Sequence, residues 1–229
     1  MSRTELVIFD CDGVLIDSEV ISANMLILEL QGYGVEIDMP FVARHFLGRS
    51  YAVVLKEIRE QFGVNLPPQF ETDYRRRLLE AFARSLTVMP GVTEVLERMA
   101  VPFALATSSS PERVRRSLEI TGLTSYFGPR VFTASEVARG KPAPDLFLHT
   151  AARMGVAPDR CLVLEDSVNG VRAGLAAGME VWRFIGGSHL NGQDLAEPED
   201  ARPHAHLARF DMLATLRPEL LHAKDRVDP

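Results

Sequence analysis

Five short stretches of the chain consist largely of apolar residues, and most of them end where a polar residue or a glycine pair begins. Continuous runs of this length, without helical spacing, predict strands that are buried on both faces of a parallel sheet. The predicted strands cover residues 6–9, 102–106, 130–133, 161–164 and 179–185.

Apolar residues at helical spacing fill the intervals between the later strands. The segments with this spacing are residues 111–120, 145–154 and 167–177. Ser110 stands where an N-cap is expected, with Pro111 at the first helical position. Gly155 and Gly178 follow the next two helices, as glycine commonly does at helix C-termini. Alternating strands and helices with short connections predict an α/β fold with a doubly wound parallel sheet of the Rossmann type.

One long segment after the first strand departs from this alternation. It shows helical periodicity at residues 19–30, 52–62 and 69–83, and no convincing buried strand. We therefore expect an all-helical cap domain at residues 18–86, inserted into an α/β catalytic core formed by residues 1–17 and 87–229.

Composition and charge narrow the possible functions. The chain has 229 residues and a net charge of −6, which argues against nucleic acid or an anionic membrane as a partner, since both favour a basic surface. The first residues lack the apolar run of a signal peptide, and no segment approaches the roughly 18 apolar residues of a membrane span. A cytoplasmic location is expected. The two cysteines, Cys11 and Cys161, are expected to be buried and unpaired.

Polar residues at the ends of the predicted strands are the candidates for chemistry, because ligands of open α/β sheets bind at the carboxyl ends of the strands. Asp10 and Asp12 follow the first strand, where two carboxylates can converge on a cation. Gly13 permits a tight turn beside them. Taken alone, this pair is equally compatible with a polar turn.

Three further strand ends carry polar groups. Thr107 and Ser108 precede a helix N-terminus, which suits a phosphate group, although helix capping alone explains them as well. Lys141 lies in a proline-rich loop that would hold it rigidly. Glu165 and Asp166 form a second acidic pair, and Ser167 is in place to cap the following helix.

Together these four motifs resemble the haloacid dehalogenase superfamily. The matching segments are Asp10-Cys-Asp-Gly-Val-Leu15, Thr107-Ser108, Lys141-Pro142 and Glu165-Asp-Ser-Val-Asn-Gly170. The chain is most similar to the branch that contains bacterial sugar-phosphate phosphatases, 6-phosphogluconate phosphatases among them, and β-phosphoglucomutases.

The resemblance implies a magnesium-dependent phosphatase of a small phosphorylated metabolite. Asp10 would be the nucleophile that forms an aspartyl-phosphate, and Asp12 the general acid and base. Thr107, Ser108 and Lys141 would hold phosphoryl oxygens. The implied Mg²⁺ ligands are Asp10, the backbone carbonyl of Asp12, Asp166 and, directly or as an outer ligand, Glu165.

Substrate choice is expected to lie in the helical insert. Glu19 and Arg49 are the preferred substrate-binding residues, Arg49 for a second anionic group. Further candidates in the insert are Asn24, His45, Gly48, Ser50 and Lys56. The resemblance is compatible with a monomer or a homodimer.

Two other functions stay open. A phosphomutase would use the same nucleophile and metal, but the mutases of this branch carry a histidine where this chain has Ser22, and a lysine shortly before the position of Tyr74. A non-catalytic module that binds a phosphorylated ligand would be expected to have lost one of the four acidic or basic motif residues, and this chain retains all of them.

Overall fold

The computed structural model describes residues 3–46, 51–192, 195 and 197–223. Its centre is a six-stranded sheet with the order β3-β2-β1-β4-β5-β6, and every pair of neighbouring strands is parallel. This order confirms the predicted doubly wound α/β fold. The strands are β1 (Leu6–Phe9), β2 (Phe103–Thr107), β3 (Val131–Thr133), β4 (Cys161–Glu165), β5 (Glu180–Phe184) and β6 (Ala205–Leu207).

Both faces of the sheet are buried, which explains why its strands are continuous apolar runs. Along β1, Leu6 and Ile8 point into one apolar cluster, while Val7 and Phe9 point into another. This alternation is the period of two expected for a strand. Helices therefore have to cover both faces, and β1 lies at the position where the winding direction of the sheet reverses.

Six α-helices of the described residues lie outside residues 18–86. They are α5 (Val92–Arg98), α6 (Pro111–Thr121), α7 (Thr124–Phe127), α8 (Asp145–Met154), α9 (Val168–Ala176) and α10 (Leu213–Leu216). The predicted caps are present, since the hydroxyls of Ser110 and Ser167 accept hydrogen bonds from the N–H groups of Arg113 and Gly170. The sequence patterns did not predict α5, α7 or α10, because these helices are too short for periodicity to be recognised, or β6, because its exposed His206 interrupts the apolar run.

The described part of residues 18–86 contains four α-helices, which lie between β1 and α5. They are α1 (Glu19–Gln31), α2 (Met39–His45), α3 (Tyr51–Phe62) and α4 (Phe70–Ser85). Helix α2 was not predicted. Asp38 is its N-cap, since the Asp38 carboxylate accepts a hydrogen bond from the N–H of Phe41. Pro40 occupies the first turn of the helix.

The chain enters and leaves this helical segment at the same place. The N–H of Asp17 donates to the carbonyl of Thr87 over 3.0 Å, and Ile16 forms an antiparallel bridge with Val88. Helix α4 packs against α1 and against α6 of the core, so the segment covers the carboxyl end of the sheet. Among the described residues, no helix combines the length and apolar character needed to cross a membrane.

Candidate active site

The register of the parallel strands brings the predicted motif residues to one edge of the sheet. Phe9 pairs with Leu105 of β2 and with Leu164 of β4. The next residue of the chain, Asp10, therefore lies between the ends of both neighbouring strands, and its N–H donates to the carbonyl of Leu164 over 2.9 Å. Asp10 is buried and lies close to the residues that follow β4.

Lys141 connects the first and the fourth of these motifs. Its ammonium donates to Asp10 Oδ1 over 2.6 Å, to Glu165 Oε1 over 2.7 Å and to the carbonyl of Ala106 over 3.1 Å. The side chain is only 4% exposed, and the Phe147 ring lies 4.9 Å from its nitrogen. All three protons of the ammonium thus have acceptors, and the lysine orients the Asp10 carboxylate while it neutralises part of the charge.

Three buried acids surround this single lysine. Asp10, Glu165 and Asp166 each place a carboxylate oxygen within 4.8 Å of the others. Burial raises the pKa of Asp10 well above its usual range, and the charges of Glu165 and Asp166 raise it further against the opposing effect of Lys141. Burial and Glu165 likewise raise the pKa of Asp166. The part of these shifts that comes from neighbouring carboxylates reflects three acids placed around one lysine.

Both carboxylate oxygens of Glu165 accept hydrogen bonds. Oε1 accepts from Lys141, and Oε2 accepts from the N–H of Ser167 over 2.7 Å and from its hydroxyl over 3.0 Å. A Cβ atom at Gly170 would collide with the Glu165 carboxylate. The glycine three positions after Ser167 is therefore required because the first turn of α9 closes directly over this acid.

Asp12 is held away from the acidic cluster by three donors. Oδ1 accepts from the hydroxyl of Ser18 over 2.6 Å and from Arg113 Nη2 over 2.7 Å, and Oδ2 accepts from the hydroxyl of Ser109 over 2.6 Å. Burial alone would raise the pKa of Asp12, but Arg113 and the two hydroxyls together lower it below its usual value. Arg113 also donates to the hydroxyl of Ser22 on α1 over 3.1 Å.

The predicted phosphate-binding loop follows β2. Thr107 is buried, and its hydroxyl accepts from the N–H of Ser109 over 3.0 Å. Ser108 is exposed and, like Thr107, lines the cavity beside Asp10. The structure thus places both predicted residues next to the acidic cluster, with the N-terminus of α6 directly behind them.

A cavity of about 1100 Å³ lies between these strand ends and the helices of residues 18–86. Its floor includes Asp10 and Lys141, and its opposite wall includes Glu19, Tyr74 and Leu78. A phosphate group alone would occupy a small part of this volume, so the space suits a phosphorylated metabolite.

The other candidates in the insert have different positions. Asn24 is exposed, and Lys56 pairs with Glu60 at the surface. His45 pairs with Glu57 over 3.2 Å. Asn24, Lys56 and His45 do not line the cavity. Gly48, Arg49 and Ser50 lie outside the described residues, so the expected contact of Arg49 with a second anionic group stays a prediction.

Glu19 allows a prediction of how the stability of the folded protein changes with pH. Burial and the charge of Asp12 raise its pKa from an ordinary 4.5 to about 7. The folded state therefore holds a proton that the unfolded state releases, and stability is lost as the pH rises between these two values. Glu19→Gln carries no charge at any pH. We expect its Tm without metal to exceed that of the wild type at about pH 8 and to match it at about pH 5.

Thermal unfolding followed by circular dichroism measures this difference. Glu60→Gln replaces an exposed glutamate of α3 and serves as the control, with a Tm expected to equal that of the wild type at both pH values. A Glu19→Gln effect of equal size at both pH values would contradict the assignment of a raised pKa.

Three residues near the site were not among the sequence-based predictions for it. Arg113 lies two positions into α6 and was indistinguishable from an ordinary polar helix residue. Ser109 follows the predicted Thr107-Ser108 pair, and only the structure shows its bond to Asp12. His189 follows β5, another strand end at the same edge of the sheet, and its Nε2 lies 3.0 Å from Asp166 Oδ2. Because ligands of such sheets bind at the carboxyl ends of the strands, the position of His189 shortly after a predicted strand was a signal that could have identified it.

The residues present fit a divalent cation with a preference for oxygen ligands. Three carboxylates face one lysine, so ionisation of all three leaves two negative charges that Lys141 does not balance. The donors are hard oxygens of the kind that bind Mg²⁺. Because both oxygens of Glu165 already accept hydrogen bonds, Asp10 and Asp166 are better placed than Glu165 to bind such a cation directly.

Comparison with known proteins agrees with this geometry. The sequence profile of the haloacid dehalogenase-like hydrolases matches residues 4–178. The 6-phosphogluconate phosphatase of Escherichia coli K12 is 31% identical over 190 residues, which cover 82% of this chain and 86% of that protein.

Two solved structures share the fold. A haloacid dehalogenase family hydrolase of Deinococcus radiodurans, with bound phosphate and sodium, is 33% identical with a TM-score of 0.78, covering 96% of this chain and 98% of that chain. A putative β-phosphoglucomutase of Thermotoga maritima is 27% identical with a TM-score of 0.72, covering 95% of this chain and all of that chain (100%). The expected resemblance is confirmed: this chain belongs to the haloacid dehalogenase-like hydrolases and is an enzyme of their phosphatase branch.

Proposed function

We propose that this enzyme is a Mg²⁺-dependent phosphatase that hydrolyses a sugar phosphate or sugar-acid phosphate through an aspartyl-phosphate on Asp10. The observation that carries the proposal is the convergence of Asp10, Lys141 and Asp166 on the floor of a cavity large enough for a metabolite. The similarity to 6-phosphogluconate phosphatase supports the substrate class.

Asp10 is suited to act as the nucleophile because its carboxylate is held in one orientation. Lys141 binds Oδ1, and no donor among the described residues contacts Oδ2, which leaves that oxygen available for attack on phosphorus. The phosphoester bond breaks as the Asp10–phosphorus bond forms. Thr107 and Ser108 line the cavity beside Asp10 and would donate hydrogen bonds to the phosphoryl oxygens.

Asp12 would supply the proton that the leaving alkoxide needs, and would later accept a proton from the attacking water. In the structure its carboxylate is bound by Ser18, Ser109 and Arg113, which favour the ionised form. Substrate binding would therefore have to weaken these hydrogen bonds before Asp12 can donate a proton.

The proposed cation would be held by the carboxylates of Asp10 and Asp166 and by the backbone carbonyl of Asp12, with Glu165 as an outer partner. When bound, Mg²⁺ offsets the charge of the phosphoryl group and of Asp10, so that an anion can approach another anion. Lys141 contributes a fixed positive charge to the same end.

Residues 18–86 are proposed to act as a cap domain on a core of residues 1–17 and 87–229. Both connections run side by side at Ile16 and Val88, so the two can bend together as one hinge. Closure would exclude water, and Glu19 would contact the substrate from the cap side of the cavity.

A substrate screen tests the proposed class. We expect Mg²⁺-dependent release of phosphate from phosphorylated sugars, sugar acids or polyols, with kcat/KM at least about tenfold above that for nucleotides. Released phosphate is measured with and without a chelator. A preference for nucleotides or phosphoproteins, or equal rates in the presence of the chelator, would contradict the proposal.

The similarity to a putative β-phosphoglucomutase makes the mutase the second candidate. Ser22, at the position where such mutases carry histidine, is buried and donates to the carbonyl of Ser18, so it cannot replace an imidazole in proton transfer. Product analysis with β-glucose 1-phosphate separates the two activities. Glucose 6-phosphate without free phosphate would establish a mutase.

A further inference from the structure

His189 is a buried residue that the proposed reaction does not use. It lies in a short 3-10 turn, Ser188–Leu190, that follows β5 at the same edge of the sheet as Asp10. The side chain is 5% exposed. The turn is fixed to the loop after β1, because the hydroxyl of Ser188 donates to Asp17 Oδ1 over 2.7 Å.

The ring makes one close polar contact. Nε2 lies 3.0 Å from Oδ2 of Asp166, whose side chain is 6% exposed. A metal-binding Asp166 is ionised and can only accept a hydrogen bond, so in that state Nε2 carries the ring proton and donates it.

The ring lies beside two glycines. A Cβ atom at Gly13 would lie 2.9 Å from His189 Cε1, and one at Gly187 would lie 2.6 Å from Cε1 and 2.7 Å from Nδ1. The imidazole therefore occupies space that a side chain at either position would need.

Nδ1 has no hydrogen-bond partner among the described residues and is buried. Burying an unpaired polar atom is unfavourable, so a side chain needed only for packing would be better as an apolar one. The presence of an imidazole at this position is therefore explained by its other nitrogen, Nε2, which contacts Asp166.

We infer that His189 is a positioning residue for Asp166: it holds one carboxylate oxygen and leaves the other to bind the divalent cation. Outer partners of this kind fix the orientation of a metal ligand and so raise metal affinity. The inference rests on the proposed Mg²⁺ site and adds a residue that decides how tightly the cation binds there.

Calorimetric titration of the full-length, substrate-free protein with MgCl₂ tests it. We expect His189→Leu to weaken Mg²⁺ binding about 10- to 100-fold. His189→Gln keeps an N–H donor and is expected to bind more tightly than the leucine variant. His206→Gln, which changes an exposed histidine paired with Glu197, serves as the control and should bind like the wild type.

Gly187→Ala gives a second, independent test. Gly187 has a φ of −68°, which alanine adopts freely, and the new methyl group would meet the His189 ring first, with Cε1 at 2.6 Å, ahead of the carbonyl oxygen of Gly13 at 3.1 Å. We expect weaker Mg²⁺ binding, and little further loss when the substitution is combined with His189→Leu, because both act on the same contact. In activity assays, a higher Mg²⁺ concentration should restore turnover of both single variants, which damage to the fold would not allow.

The outcomes separate this inference from the proposed function. A wild type that binds no Mg²⁺ overturns the metal site and this inference with it. A wild type that binds Mg²⁺ while His189→Leu binds equally well overturns the inference alone. If circular dichroism shows that His189→Leu does not fold, Gly187→Ala decides: unchanged affinity overturns the inference, and weakened affinity supports it.

Discussion

Replacing Asp10 with asparagine is expected to abolish phosphate release while the protein stays folded. Asparagine has nearly the same shape and can still accept a hydrogen bond from Lys141, but its amide cannot attack phosphorus. Loss of a nucleophile lowers kcat by on the order of 10⁴-fold or more. Turnover of p-nitrophenyl phosphate and of the best sugar phosphate, both with Mg²⁺, measures the effect.

The control is Asp211→Asn, which removes an exposed carboxylate paired with Arg209 and should leave kcat unchanged. Trapping of radioactive phosphate on the wild-type protein, and its absence from Asp10→Asn, identifies the residue that is phosphorylated. An Asp10→Asn variant that retains turnover close to the wild type would refute Asp10 as the nucleophile.

Replacing Asp12 with asparagine is expected to have an effect that depends on the leaving group. General acid–base catalysis contributes about 10²- to 10⁴-fold, so kcat on a sugar phosphate should fall by that factor. p-Nitrophenolate leaves without a proton, and the first step with p-nitrophenyl phosphate should therefore be affected less. Hydrolysis of the aspartyl-phosphate still needs a base, so the variant should release a burst of about one equivalent of p-nitrophenol and then turn over slowly.

Rapid-mixing absorbance measurements detect such a burst. Arg113→Met is a useful companion, because it leaves the Asp12 carboxylate intact but removes one of its three donors. It should lower kcat without producing the burst. Equal losses on both substrates in Asp12→Asn, with no burst, would indicate that Asp12 acts in metal or phosphate binding rather than in proton transfer.

The sequence predicted five of the six strands because each of the five is a short run of mainly apolar residues. The predicted run at residues 6–9 matches β1, the other four predicted strands differ from those observed by one residue or so at their ends, and helix α8 was predicted with its observed bounds. Helices of four to seven residues, such as α2, were missed because so few positions cannot establish a helical period, and β6 was missed because its central His206 interrupts the apolar run. The cap candidates Asn24, His45 and Lys56 were chosen by residue type alone, and packing placed them away from the cavity.

The ends of the strands were predictable as a site for the same reason. Parallel strands share one carboxyl edge, so Asp10, Thr107 and Glu165 must come together once the strands are identified. The position of Lys141, between Asp10 and Glu165, was not predictable, because it depends on how the loop before α8 folds back onto the sheet.

By itself, the sequence determined the doubly wound sheet, the insertion point of the helical segment and the identity of the strand-end residues, since all of these follow from local hydrophobic patterns and a rule of topology. Only the tertiary structure decided which side chains act on those residues. Arg113 reaches Asp12 across 101 positions of sequence, and His189 contacts Asp166 from the loop after the next strand. The physical reason is that such pairs depend on the packing of α6 and of the turn after β5. A local sequence pattern does not predict which distant side chain will fill the space beside a buried carboxylate.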